Sequence, residues 1–200
     1  MILPKDQKIV LASNNQGKIN EFQTMLADYS MVPQSNFNIK AVDETGTTFV
    51  ENAILKARHA AFKSQLPAIA DDSGLVVDAL GGQPGIISAR YAGLNASDHD
   101  NRLKLINEIK QQPDKPTNAR FVCVLVFMLH ADDPCPLIAQ GIWEGNIISQ
   151  AAGDNGFGYD PIFFVNESNC TSAQLSSEQK NSLSHRGKAL SLLRQQLESK

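Results

Sequence analysis

Apolar positions along the chain fall into two periodicities. Short continuous runs read as buried strands: KIVLAS (8–13), PAIA (67–70), LVVDAL (75–80) and ARFVCVLVFMLH (119–130), with NIKAV (38–42) as a shorter one. PLIAQGIWEGNIISQ (136–150) follows the fourth run through ADDPC, and the two are predicted to form a long antiparallel pair. Helical spacing appears in GKINEFQTMLADY (17–29), which places Ile19, Phe22, Leu26 and Tyr29 on one face. FVENAILKARHAAFKSQ (49–65) is built from good helix formers without proline, with Phe49, Ala53, Ala57 and Ala60 in one stripe. ASDHDNRLKLINEIKQQ (96–112) opens on aspartates that suit a helix dipole. SSEQKNSLSHRGKALSLLRQQLE (176–198) reads as a short turn and a final helix. Polar or glycine- and proline-rich segments separate these elements: DETGTT (43–48), DDSG (71–74), GGQPG (81–85), PDKPTN (113–118) and AAGDNGFGYDP (151–161). The order is βαβαβ, a β-rich middle, then a helix. That order predicts an α/β fold, a mixed sheet with helices against it, with a possible second lobe around the 119–150 hairpin.

Two hundred residues suffice for one domain, or one core with two lobes, without disulfide or metal staples. The net charge of −3 argues against a general nucleic-acid coat or a membrane-surface binder. An anionic ligand would therefore be held by local lysines, arginines and backbone N–H groups. Cys123, Cys135 and Cys170 form no CxxC pair, and Cys123 sits within an apolar run, which suits a small buried side chain in a reducing compartment. MILPKDQKIV carries no long apolar stretch of the signal-peptide kind. FVCVLVFML (121–129), nine residues long, falls far short of a membrane span. A cytoplasmic protein is expected.

Several stretches carry candidate chemistry. SNNQGK (13–18) leaves the first strand and enters a helix. It fails the P-loop pattern at two positions, because Ala12 stands where the first glycine belongs and Ile19 follows Lys18. The physical ingredients of an anion site nevertheless remain: a helix N-terminus, the polar side chains of Ser13, Asn14, Asn15 and Gln16, a turn at Gly17, and the charge of Lys18. The alternative is an ordinary βα turn with capping residues. Asp71 and Asp72, at the end of an apolar run and followed by Ser73, are costly to leave unpaired. Strand alternation would turn only one of them toward a given site, where a hard cation such as Mg²⁺ would accept it. The alternative is an Asx turn. Glu44 is a candidate second carboxylate; Asn52 and Lys56 share a face of the following helix, Lys56 among alanines. GDNGFGYDP (153–161) interleaves glycines with Phe157, Gly158, Tyr159 and Asp160, which suits either close approach to a flat ligand or a bulged corner with aromatics in the core. Ser184 is a good N-cap for the last helix, placing His185 and Arg186 in its first turn with Lys180 just upstream. Cations there oppose the helix dipole unless an electron-rich group lies against them.

In order along nearly the whole chain, LASNNQGKINEF, FVENAILKARHAA, LPAIADDSGLVVDALGGQPGIISARYAG, ARFVCVLVF, GFGYDPIFF and SHRGKAL resemble the inosine/xanthosine triphosphate pyrophosphatase family. The resemblance implies a single two-lobed α/β domain with a long central mixed twisted sheet flanked by helices, its active site in the cleft between lobes, usually as a homodimer. It implies hydrolysis of ITP, dITP and XTP to the monophosphate and pyrophosphate, with Mg²⁺ required. It places Ser13 to Lys18 on the triphosphate, Asp72 as general base and metal-linked carboxylate, Ser73 on substrate, and Glu44 as a second metal ligand. Phe157, Gly158, Tyr159, Asp160, Lys180, His185 and Arg186 match the base pocket. Many relatives have Thr-Gly where this chain has Ser13-Asn14; serine keeps the hydroxyl, and asparagine tolerates a left-handed turn. Two rival readings are a nucleotide sensor without chemistry and a Maf-type pyrophosphatase, although the latter class begins with a serine followed by paired arginines.

Overall fold

The first strand, β1 (Lys8–Leu11), is buried from Ile9 onward and passes through Ala12–Asn15 into α1 (Gln16–Met25). The computed structural model describes residues 6–199. From α1 the chain returns to β2 (Ser30–Pro33), which pairs parallel with β1 from Lys8↔Ser30 to Leu11↔Pro33. It then crosses through α2 (Phe49–Ser64) to β3 (Ala68–Val77), parallel to β1 on the other side, with Val10↔Ala68 and Leu11↔Ile69 in register. The direction of travel therefore reverses at the carboxyl end of β1. Open α/β sheets bind ligands at such a point, and here it is where SNNQGK begins.

Beyond β3 come α3 (Asp98–Lys110), β4 (Asn118–Met128), β5 (Leu137–Ile147), β6 (Phe163–Val165), β7 (Cys170–Thr171), α4 (Ser177–Leu183) and α5 (His185–Glu198). The seven strands form one mixed sheet in the order β2-β1-β3-β4-β5-β6-β7. The Ile147 N–H donates to the Thr117 carbonyl at 2.9 Å, at the ends of β4 and β5 remote from their connecting loop, so these strands run antiparallel as predicted. β6 pairs antiparallel with both β5 and β7.

Three local expectations are corrected. NIKAV is not a strand: β2 lies earlier, residues 34–37 form a 3-10 turn, and Asn38 takes a left-handed conformation with φ of 54°. β2 is at the end of the strand order, so Pro33, which cannot donate to a ladder, is tolerated there. DDSG is not a loop, because β3 runs unbroken through it; the strand ends at Val77 and residues 78–80 make a 3-10 turn. Neither Asn14 nor Gly17 takes a positive φ, and Gly17 lies within the first turn of α1 instead of making the turn before it.

By packing, the chain divides into two compact units. One gathers residues up to Asp72, Cys123–Gly141 and the chain from Arg186 onward; the other gathers Ser73–Val122 and Ile142–His185. The first core joins Ile9, Leu11 and Ile69 to Ile19, Phe22 and Leu26 of α1 and to Ala189, Leu190 and Leu193 of α5. Ala53, Ala57 and Ala60 of α2 are fully buried in the same unit, which lets that helix lie close to its neighbours. A capping box joins Thr48 and Glu51 at the start of α2. The second core assembles Leu75, Val77, Phe121, Trp143, Tyr159, Ile162 and Phe163. Among the described residues, no helix is long and apolar enough to cross a membrane.

Candidate active site

Strand alternation sorts the two aspartates of β3. Ile69 belongs to the core shared with α1 and α5, and Asp71, two positions on, faces the same way. Its carboxylate is 2% exposed and accepts from Lys18 Nζ of α1, from Arg186 Nε of α5 at 2.8 Å and from the Cys123 thiol at 3.1 Å. Arg186 is also 2% exposed and reaches Glu21 Oε2 at 2.5 Å through its Nη1. Burial by itself raises the Asp71 carboxyl, but Arg186 and Lys18 outweigh it and hold the group well below the usual carboxylate range. Burial, with Asp71 adding to it, pushes the Cys123 thiol well up, so it stays protonated as a hydrogen-bond donor.

Asp72 takes the other side of the strand. Its Oδ1 lies 2.7 Å from Lys56 Nζ, and the same ammonium meets Glu44 Oε1 at 2.9 Å. Asn52, fully buried one turn before Lys56, donates to Asp72 Oδ2 at 3.4 Å and accepts the Gly46 N–H at 2.8 Å. The loop that carries Glu44 is thereby tied, through Asn52, to the Asp72 side chain. Burial raises the Asp72 carboxyl; Lys56 opposes that rise and Glu44 adds to it, leaving the group above its ordinary value. Burial lowers Lys56, but Asp72 and Glu44 together bring it above its ordinary value. Both groups end above their ordinary values: at Asp72 burial with Glu44 outweighs the lysines, and at Lys56 two carboxylates outweigh burial.

The convergence of Asp72 and Glu44 on one ammonium tests the fit to a divalent ion. Two hard carboxylates are aimed at a single positive charge, a donor set of the size that a Mg²⁺ ion takes from protein when water and phosphate oxygens supply the rest. Among the described residues there is no group of three or more His, Cys, Asp or Glu side chains able to cage an ion alone. The donor set thus fits magnesium held jointly with a ligand. Asp71 stands outside it, with both oxygens engaged by cations and the thiol.

At the end of β1, Ser13 Oγ accepts the Asn15 N–H at 3.2 Å, and Asn15 Oδ1 caps α1 by accepting the Lys18 N–H at 3.0 Å. Asn14 Oδ1 accepts from the buried Gln34 at 3.1 Å, and Gln16 donates to Asn20 at 2.7 Å. The capping reading holds for Asn15, and the Lys18 ammonium is paired with Asp71, the carboxylate next to Asp72.

The glycine-rich stretch and Lys180 meet in the second unit. Asp160, 2% exposed, accepts from Ser172 Oγ at 2.8 Å, Lys180 Nζ at 2.6 Å and the Phe157 N–H at 2.8 Å. The Lys180 ammonium also stands 5.0 Å from the centre of the half-buried Phe157 ring. Tyr159 is a core anchor whose hydroxyl donates to the Ser88 carbonyl at 2.8 Å. His185 stacks on Phe121 at 4.8 Å between ring centres. Ser73 lies half-buried on β3. Of the residues matched to a base pocket, Phe157, Asp160 and Lys180 are thus brought into contact, with Gly158 and Tyr159 adjoining. Arg186 instead joins the Asp71 cluster of the first unit. Lys56 and Asn52, which the sequence flagged only by helix spacing and alanine surroundings, both contact Asp72.

Gly156 closes this corner with φ of 78°, and a Cβ there would fall 2.1 Å from Asp160 Oδ2. Gly156→Ala should therefore displace the carboxylate and cost about 1–3 kcal/mol. A thermal melt followed by circular dichroism should show a midpoint lower by roughly 2–12 °C for a chain of this size.

The sequence profile of the Ham1 family matches residues 9–196. The dITP/XTP pyrophosphatase of Shewanella oneidensis is 61% identical over 92% of this chain and 90% of its own length. That of Vibrio vulnificus is 59% identical over 94% of each chain. The solved structure of a HAM1 protein from Coxiella burnetii superposes with a TM-score of 0.91 at 47% identity, covering 97% of this chain and all of the other. With the parallel β2-β1-β3 array, the paired carboxylates and matches spanning nearly its full length, the chain belongs to the Ham1 family.

Proposed function

We propose that the protein hydrolyses deaminated purine nucleoside triphosphates, ITP, dITP and XTP, to the monophosphate and pyrophosphate. The observation that carries this reading is the meeting of Asp72 and Glu44 at one cationic point, on the strand next to the Lys18–Asp71 pair. Its support from relatives is the name dITP/XTP pyrophosphatase, borne by proteins at 55–61% identity over nearly the same length.

Magnesium, held by Asp72 and Glu44 together with the substrate, would offset negative charge on the phosphates. Asp72 orients and deprotonates the attacking water; burial, which raises its carboxyl, strengthens it as a base. Lys18 and the first-turn N–H groups of α1 hold phosphate oxygens and stabilise the charge that develops as the anhydride bond breaks. Ser13, Asn14, Asn15 and Gln16 supply polar contacts to the triphosphate, and Ser73 contacts the substrate farther along. Phe157 offers a ring face to the base, and the Asp160–Lys180 pair beneath it fixes that face. Gly158, Tyr159, His185 and Arg186 complete the base-recognising set, Arg186 acting from within its ion cluster. A site matched to a 6-oxo, N1–H purine leaves polar groups mispaired against ATP, a penalty that can reach orders of magnitude.

The kcat/KM values for ITP, XTP, ATP and GTP with Mg²⁺ test the reading. ITP and XTP should exceed ATP by about 100-fold or more, while GTP, which shares the 6-oxo and N1–H groups, reports on the 2-amino group alone. Equal rates on ATP, or no pyrophosphate release at all, would overturn it. We further read the chain as a cytoplasmic homodimer. Its three cysteines are free, as suits a reducing compartment, and sedimentation at micromolar concentration checks the assembly.

A further inference from the structure

Helix α3 holds the Phe157–Tyr159 turn through two side chains one helical turn apart. Asp98 Oδ2 accepts the Gly158 N–H at 2.7 Å, and Arg102 Nη1 donates to the Gly158 carbonyl at 2.7 Å. The first bond pins the peptide plane between Phe157 and Gly158; the second pins the plane between Gly158 and Tyr159. Together they fix both backbone torsions of Gly158, whose φ is 61°. No atom lies within 4 Å of a Cβ built there, so packing does not impose this conformation. Glycine is the residue with the most backbone freedom to lose, and the clamp supplies the restraint that its missing side chain cannot. On the far side of the turn Tyr159 and Asp160 are already buried and bonded. The half-buried Phe157 keeps its N–H on Asp160 Oδ2 at 2.8 Å, and the direction in which its peptide leaves toward Tyr159 is set at Gly158, where α3 holds both flanking peptide planes. Asn101, between the two clamping residues, is itself fixed by the Ala92 N–H at 2.7 Å and the Ala89 carbonyl at 3.2 Å, so the helix is a firm base for the clamp.

We infer that Asp98 and Arg102 are positioning residues for base recognition, setting the Phe157 ring by locking Gly158. This rests on the reading of Phe157 as the base-facing ring. Neither residue touches the ion clusters at Asp71 and Asp72, so the clamp acts on substrate affinity and base choice, not on the hydrolytic step.

The test is steady-state hydrolysis of ITP and ATP, with Mg²⁺, by the full chain and by Asp98→Ala, Arg102→Ala and Asp98→Asn. In both alanine variants KM for ITP should rise about 5- to 20-fold, as for one lost charge-assisted hydrogen bond, with kcat within about twofold. The ITP-to-ATP ratio of kcat/KM should fall. Asp98→Asn keeps an oxygen able to accept the Gly158 N–H and should recover most of the KM. An unchanged KM and ratio in both alanine variants would overturn the inference, as would an equal loss on ITP and ATP. Failure of the parent protein to hydrolyse ITP would instead defeat the functional reading beneath it, and the same assay separates the two.

Discussion

Asp72→Asn should lower kcat for ITP by at least about 10³-fold while nucleotide binding is partly retained. The substitution preserves shape and leaves Asn52 a partner. It removes the negative charge that meets Lys56 at 2.7 Å, and with it half of the carboxylate pair suited to magnesium. In the proposed mechanism this removes the proton acceptor and a metal-facing oxygen at once, so the effect should exceed that of removing a purely positional contact. Single-turnover assays at saturating ITP, paired with nucleotide titration by calorimetry, measure chemistry and binding separately. Turnover within tenfold of the parent would remove Asp72 from the role assigned to it.

The second large effect concerns stability. Arg186→Ala leaves the fully desolvated Asp71 carboxylate with one ammonium, Lys18, where two cations stood. Breaking a buried pair from one side costs about 3–5 kcal/mol, a melting-point loss of roughly 6–20 °C at this chain length. The ionised form of Asp71 is favoured by folding, because its folded pKa lies below its unfolded value. Its contribution is therefore present above about pH 4 and declines as pH falls toward the depressed value. In Arg186→Ala the burial of Asp71 is offset by Lys18 alone, so the deficit should be widest at neutral pH and should narrow in acid as the carboxyl protonates. Denaturant melts at pH 7 and pH 4 check the sign. Replacing both partners by apolar residues, Arg186→Met with Asp71→Leu, should recover part of the loss, since the fully buried carboxylate is gone and the charges left behind, Lys18 and Glu21, are partly exposed.

The sequence showed these features unevenly, for physical reasons. α2 was legible because its alanine stripe and lack of proline are local properties, and the 119–150 hairpin because its two apolar runs are long. β2 was missed because SMVP is short and ends in proline; its parallel pairing with β1, not its composition, makes it a strand. β6 and β7, of three and two residues, are too short to show any periodicity. DDSG read as a break because charges rarely stay inside a buried strand. The partners that keep them there, Lys18 and Arg186, stand 53 and 115 positions away from Asp71. The same distance in sequence hid the ion cluster around Arg186, which the residue pattern alone could only mark as a cation badly placed at a helix start. The Asp98–Gly158–Arg102 contacts span 60 and 56 positions and leave no local trace.

The unbroken course of β3 carries a constraint on how this chain can vary. Asp71 and Asp72 are distinguished by parity alone: same residue type, adjacent positions, opposite sides. Deleting one residue between Ala68 and Asp71 would bring Asp72 to the buried guanidinium of Arg186 and Ser73 to the place where Asp72 meets Lys56. Length changes of one residue in this stretch should therefore be lethal to the enzyme even where every amino-acid type survives.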